Sequence, residues 1–314
     1  QPEVAKARAE FEAARAAFDD VLSEVSRNVR SSFAELMYAQ ELIDLTEIIA
    51  ARREQNVQLV KARFDAGREH KGSYLRSRAS SREARFESRQ AIRAIRVAQR
   101  NLLEAMGRED FSPVRVREVF ETDTPPPDPD IRALAAATPA VRSAVNDHQA
   151  AAAGLTVERQ KYSPSISATA SASRSGGKWP PRTASGKWSG GISLTVPIFS
   201  GGDEIHDVAG AEANMRRLEA VADGARQRTA LDLEEKHAAF TDAVERVIVR
   251  NEFLAAAEAR AEIAQAQYTS GLLSFENWDI IENDLIAQQK LALAARRDAI
   301  LAESAWQRAQ GKGF

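Results

Sequence analysis

The segment Ser189–Gly202, SGGISLTVPIFSGG, decides the fold. Strand side chains alternate with period two, so Trp188, Gly190, Ile192, Leu194, Val196 and Ile198 fall on one face and Ser189, Gly191, Ser193 and Thr195 on the other. Upstream, Ser165–Ser175 repeats the pattern: Ile166, Ala168, Ala170 and Ala172 alternate with Ser165, Ser167, Thr169, Ser171 and Ser173. A tilted strand of about 9–11 residues crosses a bilayer, and both runs have that length. An apolar outer face with a small, polar inner face is the signature of a transmembrane β-barrel. An amphipathic hairpin on a soluble core would alternate in the same way.

Composition narrows the field. The chain has 314 residues, 28% of them charged, and a net charge of −2, which points to no nucleic-acid partner. Lys and Arg read as scattered among Asp and Glu, as on solvated helix faces. No apolar stretch approaches the roughly 18 residues of a membrane-spanning helix, so any crossing must use strands. The absence of cysteine excludes disulfides, thiolate metal sites and thiol nucleophiles. The first residues, QPEVAKARAE, read as helix interior and a cut end, with no signal-peptide pattern.

Working outward, Glu3–Ala66 contains neither glycine nor proline. Apolar residues recur along it every seven positions: Leu22, Val29, Leu36, Ile43, Ala50, Val57 and Phe64, with a second stripe of Val4, Phe11, Phe18 and Val25. This period predicts one long helix in coiled-coil packing. Gly67 ends it, Gly72 opens a return helix of about Ser73–Met106, and Gly107 closes that. The second half repeats the plan: a helix from near Asp203 to Ser270, a break at Gly271, and a return helix of about Leu273–Ala309 ending at Gly311. A single ungapped shift of 204 residues carries Gly67 onto Gly271 and Gly107 onto Gly311. The same shift carries Val29, Leu36, Ile43, Ala50, Val57 and Phe64 onto Leu233, Phe240, Val247, Leu254, Ala261 and Tyr268. Internal duplication follows.

The prolines between Phe111 and Pro129 predict an extended connector. A helix of about Ile131–Gln160 leads to Tyr162-Ser-Pro164 and the first strand. A polar loop, Arg174–Lys187, joins the strands and carries Lys178, Arg182 and Lys187 beside Trp179 and Trp188. Such aromatics suit a membrane interface or a turn-stabilising cluster. The expected divisions are a first helical-hairpin repeat at 1–107 with its tip near 67–72, a connector at 108–130, and a helix leading to the barrel at 131–164. The β-hairpin at 165–199 and a second repeat at 200–314, with its tip near 271, complete them.

These residues together resemble the TolC family of outer-membrane efflux channels. Ser193-Leu-Thr-Val-Pro-Ile-Phe-Ser-Gly-Gly202, followed by Ala211 and Ala213, is similar to the family's strand-to-helix passage. Thr138-Pro139-Ala140-Val141, leading to Tyr162-Ser-Pro164, resembles the stretch that rises into its barrel. Tyr268-Thr-Ser-Gly-Leu-Leu-Ser274, with Glu282 and Leu285 downstream, resembles a periplasmic tip turn, and Phe64-Asp-Ala-Gly67 is its weaker counterpart. The resemblance implies a mainly α fold: two long antiparallel coiled-coil helical hairpins and a β-hairpin contributing to an oligomeric transmembrane β-barrel. It implies a homotrimer in the Gram-negative outer membrane, in contact with outer membrane lipid and extending into the periplasm. It also implies an exit duct for efflux or secretion, fed by a periplasmic adaptor (membrane fusion) protein and an inner-membrane transporter. Residue 1 aligns by the same shift with Ile205, so the family's first β-hairpin is expected to be missing from this sequence.

The resemblance implies a tip gate lined by acids, and the candidates are Glu276, Asp279 and Glu282, with Asp284 next. The relatives' pore aspartate aligns with Ile280. Carboxylates three and four apart also suit a solvated helix face. Gly67, Arg68, Gly271 and Leu272 are implied as the adaptor-docking tip, where glycine also serves simply to end a helix. Trp278 corresponds to Tyr74 in the repeat and is expected to pack between tip helices. The lipid-facing side chains are expected to be Ile166, Ala168, Ala170, Trp188, Ile192, Leu194, Val196 and Ile198. His70, His148, His206 and His237 lack metal-ligand spacing, and there is no P-loop, dinucleotide fingerprint or nucleophile elbow, so no metal, cofactor or enzyme activity is expected. The heptads alone would also fit a soluble coiled-coil scaffold, and a single hairpin would fit a periplasmic adaptor.

Overall fold

A computed structural model describes residues 2–110, 112–117, 122–175, 185–198 and 201–313. The elements follow in the order α1 (Pro2–Asp65), α2 (Lys71–Ala105), α3 (Ile131–Ala137), α4 (Pro139–Lys161), β1 (Ser165–Ser175), β2 (Ser185–Thr195), α5 (Asp203–Ser270) and α6 (Phe275–Ala309). The fold is mainly α. At 64 residues, α1 is about 96 Å long. No helix among the described residues is long and apolar enough to cross a membrane.

The chain divides into two units, one of Phe18–Pro139 with Gln227–Phe314 and one of Gln1–Ala17 with Ala140–Arg226. The first holds both helical tips. There α1 and α2 run antiparallel: Glu54 accepts from Ser81 Oγ at 2.9 Å and pairs with Arg85 at 2.9 Å. The face α2 turns inward is made of Ser73, Ser77, Ser81, Ala84 and Ala91, small enough for close approach of the two backbones. The second hairpin is built alike, with Arg260 of α5 opposite Asp284 of α6 at 3.4 Å.

The two hairpins lie side by side with the repeat in register. Arg63 of α1 donates to the Tyr268 carbonyl of α5, 205 positions on. Arg76 and Glu87 of α2 bond Asp279 and Lys290 of α6, each 203 positions on. Equivalent residues of the duplicated sequence are therefore spatial neighbours. Farther from the tips, Arg308 of α6 bonds Glu24 and Asp20 of α1 at 2.8 and 3.0 Å. One apolar cluster joins Val60, Ala264, Tyr268, Phe275 and Trp278, and another joins Ala135, Leu233, Phe240, Trp306 and Ala309. The described residues between Gly107 and Asp130 hold no helix or strand. Gln40 forms two 3.0 Å bonds with the Val116 backbone, and His237 Nε2 donates to Pro126 O at 2.8 Å.

The other unit buries Ala9, Ala13 and Ala16 of α1, Ala150 and Leu155 of α4, and Ala222 of α5, a core of small side chains. Its hairpin pairs β1 with β2 antiparallel, Ser165 opposite Thr195 through Ser175 opposite Ser185.

Three expectations need correction. The second strand lies at Ser185–Thr195, so Lys187 and Trp188 belong to it, while Val196 and Ile198 lie beyond its end. The pair after Ser165–Thr195 would set Pro164 against Val196, with Pro197 following, and prolines cannot extend a ladder. The single helix expected over Ile131–Gln160 is two helices, because Thr138, held extended before Pro139, interrupts it. Of the heptad stripes, the one through Leu36 is buried at Leu36, half-buried at Val29, Ile43, Ala50, Val57 and Phe64 and exposed at Leu22, whereas Val4, Phe11, Phe18 and Val25 are all exposed within the chain. Lys178, Trp179 and Arg182 lie outside the described residues.

Candidate functional site

Each helical tip turns on a glycine. Gly67 (φ +70°) and Gly271 (φ +82°) occupy the left-handed region that side chains disfavour. Gly67 N–H donates to Phe64 O at 2.9 Å and Arg68 N–H to Arg63 O at 2.8 Å. Gly271 and Leu272 repeat this with Tyr268 O and Gln267 O at 3.1 and 2.8 Å. Both are Schellman closures, which satisfy the last helical carbonyls. The chain then re-enters a helix through a capping side chain, His70 Nδ1 accepting from Ser73 N and Ser274 Oγ from Asn277 N, each at 3.3 Å. Leu272 is left 81% exposed at the tip.

Beneath the turns sits an aromatic stack. Tyr268, fully buried, is stacked on Trp278, as expected for that tryptophan, with Phe275 edge-on to both. The Arg63 guanidinium lies 4.6 Å from the Tyr268 ring centroid, and the phenol donates to Glu69 of the first tip at 3.1 Å. Burial, then the Glu69 carboxylate, pushes the Tyr268 phenol far above its usual range.

One turn deeper the acids predicted to form a gate are brought to the seam between hairpins. Glu282, fully buried, accepts from Arg52 Nε and Nη2 at 2.8 and 2.6 Å and from Asn56 Nδ2 at 2.9 Å. Asp279, 5% exposed, accepts from Arg76 Nε at 2.7 Å and pairs with Arg53 at 3.7 Å. Arg53 also donates to Asn283 at 2.6 Å. Burial draws the Arg53 guanidinium below its usual range and Asp279 pulls it back up, whereas the Glu282 hydrogen bonds raise Arg52. The solvated-face alternative therefore fails for Asp279 and Glu282. Among the three candidates only Glu276 presents its carboxylate to solvent, with His70 Nε2 3.8 Å away. Ile280 is exposed. The arginine partners escaped the sequence reading: Arg52 and Glu282 are 230 positions apart, and no local pattern joins them.

In β1 and β2 the apolar side chains share one face. Opposite residues of an antiparallel pair share a face, so Ile166, Ala168, Ala170 and Ala172 align with Leu194, Ile192, Gly190 and Trp188. Ile166, Trp188, Ile192 and Leu194 are exposed. The opposite face carries hydroxyl pairs, Ser167 with Ser193 at 2.7 Å and Ser171 with Ser189 at 2.8 Å. Among the described residues no group of three or more His, Asp or Glu is placed to hold a metal ion.

Comparison with known proteins places this geometry. No curated protein sequence matches the chain. Solved structures resemble it closely in fold. The outer membrane protein VceC of Vibrio cholerae is 19% identical with a TM-score of 0.83, over 100% of this chain and 76% of that one. The open-state MtrE outer membrane channel of Neisseria gonorrhoeae is 18% identical with a TM-score of 0.83, over 99% and 71%. The CmeC outer membrane channel of Campylobacter jejuni is 15% identical with a TM-score of 0.80, over 98% and 67%. A profile of the family described as outer membrane efflux protein matches residues 131–312. That span runs from α3 through the β-hairpin and the second helical hairpin, which sets aside the soluble scaffold. The chain belongs to the outer membrane efflux protein family, whose members are channels rather than enzymes, and it serves as an outer-membrane exit duct reaching into the periplasm.

Proposed function

We propose that three copies of the chain form one gated duct, passive in itself, whose helical tips receive cargo from a periplasmic adaptor and an inner-membrane transporter. One observation carries this reading: the hairpin has an exposed apolar face and a hydroxyl-lined opposite face. A two-stranded sheet cannot stand alone in lipid, because its edges leave backbone groups unpaired, so the strands must close with others into a barrel. The apolar side chains then meet outer membrane lipid, and the serine hydroxyls meet water in the lumen.

The tips are the docking surface. Gly67 and Arg68 of one turn, and Gly271 and Leu272 of the other, offer tight backbone turns and one exposed leucine to an adaptor. The buried carboxylates beneath them hold the two hairpins together, so we assign Asp279 and Glu282 to the closed state of the gate and Glu276 to the pore field. Opening separates Arg52 from Glu282 and Tyr268 from Glu69.

Single-channel recording in a planar bilayer tests the proposal. Small, long-lived, cation-preferring conductances are expected. A silent bilayer, from protein that stays monomeric and stable without detergent, overturns it.

A further inference from the structure

Residues 159–202 run from the last turn of α4 through both strands to the start of α5, and they contain no Asp or Glu. Elsewhere acids are common, 45 among 314 residues. The charges in this stretch are all cationic: Arg159, Lys161, Arg174, Lys178, Arg182 and Lys187. Of these, Lys187 has a defined place on the wall of the hairpin. It pairs with Ser173, and alternation puts it on the face of Ser189, Ser193 and Thr195, away from Trp188, Ile192 and Leu194. That is the hydroxyl face, where Ser167 bonds Ser193 and Ser171 bonds Ser189. These four hydroxyls satisfy one another, and the wall carries no charge except at Lys187. Lys187 is exposed and has no ion-pair partner among the described residues.

The register also fixes its height. The helices α4 and α5 join the hairpin at the Ser165–Thr195 end. Lys187 stands eight residues from Thr195, about 27 Å along the strand, and only two from Ser185, where the ladder ends. Aromatic side chains border the apolar band of an outer-membrane barrel. Trp188, 86% exposed on the apolar face, sits where the outer border falls, and its neighbour Lys187 turns to the other side at the same level.

We propose that Lys187 is a specificity residue of the duct, a cationic collar inside its outer mouth that binds multivalent anions, the phosphate or carboxylate groups of solutes in transit. This rests on the barrel reading above, in which three copies bring three ammonium groups to one level of one lumen. Rings of Lys or Arg are how pores favour anions. A carboxylate on the same wall would cancel each lysine, and this hairpin supplies none. Each ammonium offers three donors, and the serines beside it add hydroxyls without adding charge. A charge acts over about 8 Å at physiological salt and about 30 Å at 0.01 M, so the collar holds clustered phosphates far better than single small ions. The cation preference assigned to the tip gate and the anion collar therefore act on different solutes.

Recording from a single inserted duct in dilute salt tests the collar, with inositol hexakisphosphate as the probe. Added to one chamber the probe should block the current, and added to the other it should not, because the collar lies near one mouth. Lys187→Gln should raise the half-blocking concentration at least about tenfold, and Lys187→Arg should leave it nearly unchanged. Raising the salt to about 1 M should abolish the block of the wild type. The side chain is exposed, so the replacement spares folding, and the open current in high salt checks this for each variant. Block undiminished in Lys187→Gln, block equally strong from both chambers, or a wild-type current untouched by the probe overturns the collar and leaves the duct intact. A wild-type chain that carries no current removes the barrel reading, and the collar with it.

Discussion

Tyr268 lies flat on Trp278, ring centroids 4.3 Å apart and planes 6° from parallel. Phe64 stacks on Tyr74 in the same manner, at 5.8 Å and 7°, and the shift that relates the two tips carries each pair onto the other. The second pair is the deeper one. Its tyrosine is held between the indole and the Arg63 guanidinium and reaches the first tip through Glu69. Tyr268→Ala should therefore lower unfolding stability by about 3–5 kcal/mol, the usual loss for a buried aromatic. Phe64→Ala, at a half-buried position, should cost clearly less. Tyr268→Phe, which keeps the stack and removes one hydrogen bond, should cost about 1 kcal/mol. Urea unfolding followed by circular dichroism in detergent measures all three. Equal losses at Phe64 and Tyr268 would show that the second tip is no hub.

Glu282 is a buried carboxylate with a bidentate arginine, and removing one member of such a pair strands the other. Glu282→Ala should destabilise the seam by about 3–5 kcal/mol. Because the pair joins the two hairpins, its loss should also raise the open probability in single-channel records. The double replacement Arg52→Met with Glu282→Leu should recover stability, since an apolar pair leaves no stranded charge. Wild-type gating in Glu282→Ala would remove this residue from the closed state.

Two neighbouring acids should respond differently to charge reversal. Glu276→Lys changes an exposed carboxylate and should reduce cation preference with little effect on folding. Asp279→Lys places a cation between Arg53 and Arg76 and should destabilise the tip before any effect on selectivity. Reversal potentials under a salt gradient, read beside the unfolding midpoint of each variant, separate the two. An unchanged reversal potential in Glu276→Lys assigns that residue to the solvated surface.

The long helices, their glycine turns and the two-faced hairpin were legible because each is written in local spacing: sevens, a positive-φ stop and strict alternation. Two misplacements were also local. Pro197 closes β2 before Val196 and Ile198, and Pro139 breaks the helix that begins at Ile131, so both signals were present but outweighed by hydrophobic pattern. The clasp was not legible. Arg52 and Asn56 lie in the first repeat and Glu282 in the second, and the repeat shift does not pair them, so only the packed hairpins bring them together. The basic character of α2, with nine Lys or Arg against three Asp or Glu, was hidden for another reason. Averaged over the chain the charge is −2, and the sum conceals a basic helix and an acidic one of opposite excess.

Gly271 offers a test of docking that spares assembly. Its φ of +82° suits glycine, and a β-branched residue there costs about 1–3 kcal/mol of backbone strain. A Cβ at this site would meet only Arg63 Nη2, at 3.9 Å, so the cost is conformational rather than steric. Gly271→Val should therefore distort the Leu272 turn and weaken efflux in a drug-susceptibility assay while trimers persist in detergent. Normal resistance in such a strain would take the turn out of the adaptor contact.

Acid should loosen the end of α6 farthest from the tips. Hydrogen bonds from Arg27 and then Arg308 hold the Glu24 carboxyl down at about 2, against 4.5 for the free side chain. The folded pKa is the lower of the two, so the unfolded chain takes up the proton first as pH falls. The contribution of Glu24 is thus complete above about pH 4.5 and disappears as pH falls toward about 2. The site is partly open to solvent, so the effect is modest, but its direction is fixed. Burial acts the other way on Glu303, raising its pKa, so that residue favours its protonated form as pH drops. The Tm of wild type should fall between pH 4.5 and 2, and Glu24→Gln should flatten that part of the curve without changing its slope above pH 5. An identical acid slope in the variant would mean that Arg308 anchors α6 through Asp20 alone.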